Sequence, residues 1–137
     1  MRYEKLLREN GADVACIGIG VNGHLAFNDP SVTNFNDSKL VKIVELEESS
    51  RMQQVNEGWF SSLGEVPRLA ITLTIPALMG SKSIHCVVPG GHKAEAVYNT
   101  LNAEISTACP ATILRIHPNT VLYLDENSAS KLIVETV

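Results

Sequence analysis

The sequence predicts an α/β fold: a single three-layer domain over residues 1–137, with a parallel, Rossmann-like sheet between helices. Three observations predict it. Short apolar runs alternate with helical patterns along the whole chain. The run Val14–Ile17 is apolar at every position, as in a parallel strand covered on both faces. A length of 137 residues with 45% hydrophobic side chains is enough for one sizeable core.

The predicted elements follow from the spacing of apolar residues and from the residues that start or stop helices. Near the N-terminus, Tyr3, Leu6 and Leu7 lie at helical spacing before Gly11, and glycine commonly ends helices. A loop rich in Asn, Asp, Ser and Pro comes later and is either inert or a flap over a site. In order, this half is predicted to contain a helix up to Gly11, a strand at Val14–Ile17, the loop at 27–39, a half-exposed strand at 40–46 and a polar helix at 47–57.

The second half of the chain repeats strand and helix three times. Pro76 fits the first turn of a helix and Gly80 its end, while Asp125 fits the N-cap of a closing helix. Because strands alternate with helices, we expect all the strands to lie in one parallel sheet with helices outside it. The predicted elements are a strand at 69–74, a helix at 76–79, a strand at 83–88, a helix at 91–101, a strand at 120–124 and a helix at 126–134.

A glycine-rich loop follows the first predicted strand and carries polar side chains. Its glycines let the chain turn tightly and bring backbone amides close to a ligand. The carboxyl end of a strand in an open α/β sheet is the usual position for a ligand. An imidazole placed there can pass a proton in either direction near neutral pH. The candidate residues are the glycines Gly18, Gly20 and Gly23, together with Asn22, His24 and Asp29.

The same glycines also satisfy the dinucleotide-binding pattern Gly-x-Gly-x-x-Gly, from Gly18 to Gly23. Glu45 lies at about the right distance to bind a ribose, given the usual spacing of roughly twenty residues. Such a site needs a long helix that begins at the third glycine, and Pro30 follows too soon to allow one. The segment therefore predicts a loop, whose histidine and carboxylate suit acid–base chemistry on a small polar substrate.

A second glycine turn, at residues 89–91, comes before a predicted helix. A turn of this kind gathers free backbone N–H groups at the positive end of the helix dipole, where an anion can bind. Lys93 adds a full positive charge in the first turn of that helix. The sequence thus predicts a phosphate site at Lys93.

Residues 18–30, GIGVNGHLAFNDP, resemble the signature of the glucosamine-6-phosphate deaminase/isomerase family, whose usual form is Gly-x-Gly-x-Asp-Gly-His-Ile-Ala-Phe-Asn-Glu-Pro. The resemblance continues more weakly through residues 69–74, 88–93 and 114–118, and it corresponds to the second half of a typical member. It therefore implies the second half of a larger sugar-phosphate isomerase fold. It also implies conversion of glucosamine 6-phosphate to fructose 6-phosphate and ammonia, by ring opening and aldose–ketose isomerisation, with no metal or organic cofactor.

The resemblance also implies catalytic roles. His24 falls on the family's ring-opening histidine, and Asn22 and Asp29 fall on the acidic residues that orient it. Both flanking positions depart from the usual pattern, since Asp29 is one methylene shorter than glutamate and Asn22 carries no charge. We therefore expect weaker stabilisation of an imidazolium at His24, unless this branch of the family is tuned for the amide.

Four further residues are expected to bind the substrate. Lys93 matches the family's phosphate-binding lysine. Gly20 and Gly23 bring backbone amides to the sugar. Arg51 is a further candidate phosphate contact, although it lies too early in its segment for a match without a gap.

The family's proton-moving aspartate and its Ser/Gly-rich phosphate loop belong to the first half of its members, which has no match here. We therefore expect this chain to be a piece of a longer polypeptide or the product of a split gene. Its site would be completed by association with the missing N-terminal half or in a homo-oligomer. Three alternatives differ in kind: a nonenzymatic sugar-phosphate sensor, a 6-phosphogluconolactonase-like hydrolase and a dinucleotide-binding fragment.

Composition limits the classes of partner and the cellular compartment that we expect for this chain. The net charge of −4 offers no basic surface for nucleic acid or an anionic membrane. No apolar run approaches the roughly 20 residues that a membrane span needs. The cysteines Cys16, Cys86 and Cys109 lack metal-ligand spacing, and the first two lie in predicted strands, where a buried thiol acts as a small apolar group. Free thiols of this kind indicate a reducing compartment, hence the cytoplasm.

Overall fold

The structure, a computed structural model, describes residues 1–132. No helix within that range has the length and hydropathy needed to cross a bilayer. The helices are α1 (Arg2–Asn10), α2 (Glu48–Asn56), α3 (Ile75–Met79) and α4 (Ala94–Asn102). The strands are β1 (Val14–Ile17), β2 (Val41–Glu45), β3 (Leu69–Leu73), β4 (Ser83–Val88) and β5 (Thr120–Leu124). Short 3-10 turns lie at Leu63–Glu65, Gly91–Lys93 and Pro110–Ile116.

The strands β1, β4 and β5 form a parallel sheet in that order. The register places Cys16 of β1 beside His85 of β4, and His85 beside Val121 of β5. Parallel neighbours need crossover connections, and helices lie in both of the connections here. The predicted α/β class with a parallel sheet is therefore confirmed. The bounds predicted for these three strands are also those observed.

The strands β2 and β3 do not join this sheet. They form a separate antiparallel ribbon, whose register runs from Val41 opposite Leu73 to Glu45 opposite Leu69. The prediction that all the strands form one parallel sheet is therefore wrong for this pair. Alternating apolar and polar residues correctly indicate a half-exposed strand, but such alternation is typical of antiparallel pairs and does not identify the partner.

One face of the parallel sheet is buried beneath α3, α4 and the third 3-10 turn. Ile84, Cys86 and Val88 alternate along β4 and are at most 1% exposed. Val97 of α4 and Leu78 of α3 pack into the same cluster. Burial raises the pKa of the Cys86 thiol to about 12, as expected for an inert core thiol. This core holds β4 at the centre of the sheet, with the carboxyl ends of its neighbours at the same edge.

The opposite face of the parallel sheet is exposed in the part of the chain that the structure describes. Val87, Val121 and Tyr123 lie on it and are 57%, 42% and 46% exposed. His85 stacks on Tyr123, and its Nδ1 lies 2.9 Å from the tyrosine hydroxyl. Cys16, expected to be buried within a strand, is exposed on this face because no helix among residues 1–132 covers it. Parallel sheets are normally covered on both faces, whereas this face, called the bare sheet face below, is exposed within residues 1–132.

A groove of about 860 Å³ lies beside β1, between α1 and α3. Tyr3 and Leu7 of α1 line one wall, and Ala77 of α3 lines another. The helix predicted from these apolar residues forms, yet none of its residues is buried. Within residues 1–132, β1 pairs only with β4, so its other edge lies along this groove without a neighbouring strand.

The closing helix predicted at 126–134 does not form in the described residues. Residues 126–131 form turns, and the predicted end of the helix, 133–134, lies outside the described range. Asp125 and Ser128 exchange hydrogen bonds as an N-cap would, with Ser128 N–H donating to Oδ1 of Asp125 at 2.7 Å. Polar side chains that bond to nearby backbone stabilise turns in competition with helix.

The loop at 27–39 is tied to the ribbon. Asn28 is fully buried, and its amide donates to the backbone carbonyls of Leu25 and Leu73. The Thr33 hydroxyl donates to the carbonyl of Asp29 at 2.8 Å. Lys42 of β2 donates to the carbonyl of Val32 and pairs with Asp37, both at 2.8 Å. These bonds favour a fixed loop over a mobile flap.

Candidate active site

The loop after β1 turns at two glycines whose missing side chains are needed for space. At Gly20, a β-carbon would lie 1.9 Å from Cε1 of His24. Gly23 has a φ of 84°, and a β-carbon there would lie 2.5 Å from Sγ of Cys109. Only glycine fits these positions without displacing a neighbour. The two predicted substrate-binding glycines therefore also make room for the histidine ring and seat the loop on Cys109.

His24 lies at the centre of a hydrogen-bonded cluster. Its Nδ1 is 2.7 Å from Oδ1 of Asn22, 3.2 Å from Oδ1 of Asp29 and 3.1 Å from Oγ of Ser50. Nδ2 of Asn22 donates to Oδ1 of Asp29 at 3.1 Å, and the Ser50 hydroxyl donates to the same carboxylate oxygen. The structure thus brings the three predicted catalytic residues together and adds Ser50 to them.

The oxygen atoms around Nδ1 determine the tautomer of the His24 ring. The Asp29 carboxylate and the carbonyl oxygen of Asn22 can only accept, so Nδ1 must carry the hydrogen. The Ser50 hydroxyl gives its hydrogen to Asp29 and can accept one from the ring. Among residues 1–132, Nε2 has no hydrogen-bond partner, and the ring lines a cleft. Nε2 is therefore the nitrogen available to a ligand, as a proton acceptor.

Asp29 supplies a permanent negative charge beside this ring. The residue is only 1% exposed. Burial raises the pKa of its carboxyl, but hydrogen bonds from His24, from Ser50, from the backbone N–H of Glu47 and from Asn22 outweigh that effect and lower the pKa to about 2. The carboxylate is thus ionised at neutral pH and can both orient the imidazole and stabilise its protonated form.

The start of α2 supplies site residues that were missed from the sequence. The backbone N–H of Glu47 donates to Oδ2 of Asp29 at 2.8 Å, and Oε2 of Glu47 lies 3.3 Å from Nδ2 of Asn22. Gln53, one turn beyond Ser50, lines the cleft. Glu47, Ser50 and Gln53 recur at every third position of the predicted polar helix and so share one face. That spacing was the available signal, but it did not show which face met the glycine loop.

A cleft of about 250 Å³ connects the histidine cluster with Lys93. Gly18, Ile19 and Gly20 form one side of it, at the carboxyl end of β1. The end of β4 and Pro89 form the other side. The predicted acid–base residue and the predicted phosphate residue therefore face one cleft, at the edge of the sheet where α/β proteins bind ligands.

Lys93 is the half-buried cation of this cleft. Its Nζ donates to the backbone carbonyl of Ile19. Burial lowers the pKa of the ammonium, and the negative charge of Glu57 acts in the opposite direction. Gly90 adopts a φ of 97°, but its N–H donates to Asp125 at 2.9 Å, so it is not a free amide of the kind expected from the glycine turn. The charge for an anion in this cleft thus comes from Lys93.

Arg51 is not brought to the cleft. Its guanidinium donates to the backbone carbonyls of Leu63 and Val66, at 2.8 and 3.0 Å. These bonds tie α2 to the first 3-10 turn. The contacts of Arg51 are those of a structural residue, although substrate contact was expected from the sequence.

The remaining histidines lie outside the His24 cluster. Nε2 of His117 lies 2.8 Å from the carbonyl oxygen of Ser81, a structural contact. His92 is exposed, with Nε2 3.6 Å from the carboxylate of Glu57. Within the described range, no group of three or more His, Cys, Asp or Glu side chains is placed to hold a metal ion.

The parallel sheet and the histidine–carboxylate cluster at the end of its first strand define an α/β protein with a candidate acid–base site. The chain belongs to the family of glucosamine-6-phosphate isomerases/6-phosphogluconolactonase, whose sequence profile matches residues 1–123. It is 44% identical over 131 residues to a glucosamine-6-phosphate deaminase of Exiguobacterium sibiricum, and 39% identical over 133 residues to one of Clostridium botulinum. Each match covers 96% of this chain, and 50% and 51% of those relatives.

The solved structures agree with this family. A monomeric glucosamine-6-phosphate deaminase superposes with a TM-score of 0.87 at 36% identity, over 94% of this chain and 52% of the other. A 6-phosphogluconolactonase from Trypanosoma brucei superposes with a TM-score of 0.71 at 21% identity, over 96% and 52% of the two chains, which shows a shared fold. The chain thus spans about half the length of the curated relatives that it matches.

Proposed function

We propose that this chain provides the ring-opening and phosphate-binding part of a glucosamine-6-phosphate deaminase/isomerase, which releases ammonia and forms fructose 6-phosphate. One observation carries the proposal: the His24 ring, held through Nδ1 by Asn22 and Asp29, lines the same cleft as Lys93. The identity of 44% to a named deaminase supports the choice of substrate.

Ring opening needs one group that takes a proton and returns it to a neighbouring atom. Nε2 of His24 removes the proton of the hydroxyl at C1 and delivers a proton to the ring oxygen as the bond between C1 and that oxygen breaks. The ionised Asp29 stabilises the imidazolium between these two steps. Asn22 holds the ring by its carbonyl oxygen.

The phosphate end of the sugar lies at Lys93. A half-buried ammonium in a small cleft is screened less by water and binds a dianion more strongly than a surface lysine does. Gly20 lines the same cleft and, with Gly23, shapes the loop that approaches the sugar. Gln53 adds an amide on the wall from α2.

The transfer of a proton between C1 and C2 requires a further base, which we place on a second polypeptide segment that covers the groove beside β1 and the bare sheet face. Three observations support this. The exposed edge of β1 lines the groove, the chain spans half the length of its relatives, and Gly18 and Ala26 line both the groove and the cleft. A segment in the groove therefore reaches the substrate. A homo-oligomer would cover the same surfaces with a second copy.

The proposed compartment is the cytoplasm, since the three cysteines, all within residues 1–132, are free thiols. The second candidate function is a sugar-phosphate sensor without turnover. The uncharged Asn22 favours it, because an amide stabilises an imidazolium less than a carboxylate does.

Release of ammonia and fructose 6-phosphate from glucosamine 6-phosphate tests the proposal. The chain is assayed alone and mixed with the other half of the Exiguobacterium sibiricum relative, with substrate binding followed in the same samples. We expect turnover in the mixture, its loss in His24→Ala with the fold intact, and its retention in the exposed control His92→Ala. Binding without turnover in the mixture supports the sensor, and full activity of His24→Ala overturns the proposed role of His24.

A further inference from the structure

The orientation of the Asn22 side-chain amide is fixed by a backbone group. Oδ1 of Asn22 accepts the backbone N–H of His24 at 3.1 Å, and an N–H can only donate. The carbonyl end of the amide therefore faces His24, and the same oxygen lies 2.7 Å from Nδ1 of the ring. The NH₂ end must point away from His24, toward acceptors.

Those acceptors are two carboxylates and two serine hydroxyls, with Oγ of Ser50 at 3.3 Å and Oγ of Ser49 at 3.5 Å from Nδ2 of Asn22. Nδ2 of Asn22 lies 3.1 Å from Oδ1 of Asp29 and 3.3 Å from Oε2 of Glu47. The amide of Asn22 thus lies between Glu47 and His24. Its NH₂ group, the positive end, faces the carboxylate of Glu47, and its carbonyl oxygen, the negative end, faces the Nδ1–H of the imidazole. Hydrogen bonds in such a chain polarise one another, so the negative charge on Glu47 strengthens the carbonyl of Asn22 as an acceptor.

We infer that Glu47 is a positioning residue of the acid–base site, which supplies through Asn22 the negative charge that a carboxylate at position 22 would give directly. The inference rests on the proposed role of His24 in ring opening. It accounts for the absence of an acidic side chain at Asn22: the second carboxylate is present, one side chain further from the ring.

Glu47 is held firmly enough for this role. Its Oε1 accepts the backbone N–H of Ser31 at 2.9 Å, while its own backbone N–H donates to Asp29 at 2.8 Å. It also directly precedes α2, where free N–H groups and the helix dipole stabilise a negative charge. Both ends of this residue are therefore fixed relative to the histidine cluster.

The electrostatic surroundings of His24 come from several elements. Asp29 lies in the same loop, and Glu47 lies at the start of α2. Lys93 lines the cleft from the second 3-10 turn, with Glu57 and His92 beyond it. Asp29 contacts both the amide of Asn22 and the ring nitrogen, whereas Glu47 reaches the ring through the amide of Asn22, so replacing Glu47 changes that indirect path and leaves the direct contact of Asp29 in place.

The test is a pH titration of the His24 ring in the intact chain, followed by NMR of its ring nitrogens. A charge one hydrogen-bonded side chain away is expected to move a titration by about half a pH unit in a partly solvated site. Glu47→Gln should therefore lower the midpoint by about that amount. Glu48, the next residue, is exposed. Glu48→Gln is therefore the matched control and should leave the midpoint unchanged.

A double variant keeps the test informative if Glu47→Gln alone disturbs the loop. Asn22→Asp should raise the midpoint of His24, and adding Glu47→Gln to Asn22→Asp should leave that raised midpoint nearly unchanged, because the amide that transmits the charge of Glu47 is gone. Equal shifts in Glu47→Gln and Glu48→Gln would show a general charge effect and overturn the inference, as would additive shifts in the double variant. Because no turnover is measured, these results stand even if the deaminase assay fails.

Discussion

Gly20 lies directly beneath the imidazole of His24. A β-carbon on Gly20 would be 1.9 Å from Cε1 and 2.2 Å from both ring nitrogens. The ring is therefore pressed against bare backbone on one side, while Asn22, Asp29 and Ser50 hold its Nδ1. The position of Nε2 in the cleft depends on both constraints.

Gly20→Ala should displace the His24 ring while leaving the fold intact. Misplacing a catalytic group by about 1 Å can cost roughly 100-fold in rate, so we expect a loss of about that size in deaminase turnover. Gly64→Ala is the control, because a β-carbon there meets no atom closer than 4.0 Å. Turnover and the ring-nitrogen NMR shifts of His24 should change together, and wild-type turnover in Gly20→Ala would contradict the described geometry.

Lys93→Ala should weaken binding of the phosphorylated sugar. Hydrogen bonds to charged groups contribute roughly 1.5–3 kcal/mol, so the concentration of glucosamine 6-phosphate needed should rise by about 10- to 100-fold. Lys131→Ala removes a surface ion pair with Glu95 among the described residues and should have no effect. Binding is compared for glucosamine 6-phosphate and unphosphorylated glucosamine. If both sugars lose affinity equally, the phosphate does not lie at Lys93.

Asp29→Asn should change how the free energy of unfolding depends on pH. The folded pKa of about 2 lies below the ordinary value of 3.8, so the unfolded chain binds more protons between these values. The contribution of Asp29 is complete above about pH 4 and is lost as the pH falls toward 2. The difference in unfolding free energy between wild type and Asp29→Asn should therefore shrink by about 2 kcal/mol from pH 5 to pH 2.

Urea denaturation at several pH values measures this difference. Asp13→Asn is the control, because Asp13 is exposed and, within residues 1–132, its carboxylate pairs with Lys82 at the surface. A difference between wild type and Asp29→Asn that stays constant with pH would show that the native carboxyl titrates normally.

Val87→Lys should prevent association of the chain with the complementary half. Val87 is 57% exposed on the bare sheet face, so lysine is tolerated in the free chain but opposes burial of that face. Leu101→Lys on α4, 41% exposed, is the matched control. Analytical ultracentrifugation of the mixture measures association, and tight association of Val87→Lys would place the interface elsewhere.

The parts of the fold that were predictable are those whose signal is local. The runs Val14–Ile17, Ser83–Val88 and Thr120–Leu124 are apolar enough to identify strands with correct bounds. Pairing is not local: the alternation at 40–46 could not show that β2 pairs antiparallel with β3. The turns after Asp125 were also hidden, because an N-cap residue fits a helix and a turn equally well.

The site residues that could be predicted are likewise those that lie close together in the sequence. Asn22, His24 and Asp29 lie within one short loop, so their spacing was visible in the sequence. Ser50 and Glu47 reach them only after α2 folds back on the loop, and no spacing within α2 reveals that contact. The contacts of Arg51 with the turn at Leu63–Glu65 and with Val66 depend on packing in the same way.

The two ends of the cleft are assembled over very different lengths of chain. Asn22 and Ser50, the outer members of the histidine cluster, are 28 positions apart, whereas Lys93 meets the carbonyl of Ile19 across 74 positions. Closing a short loop costs less chain entropy, and contacts of large sequence separation form late in folding. We therefore expect the histidine end to become ordered before β4 docks on β1, and the lysine end only afterwards. The proton-transfer residues would then be in place before the cation that retains the sugar phosphate.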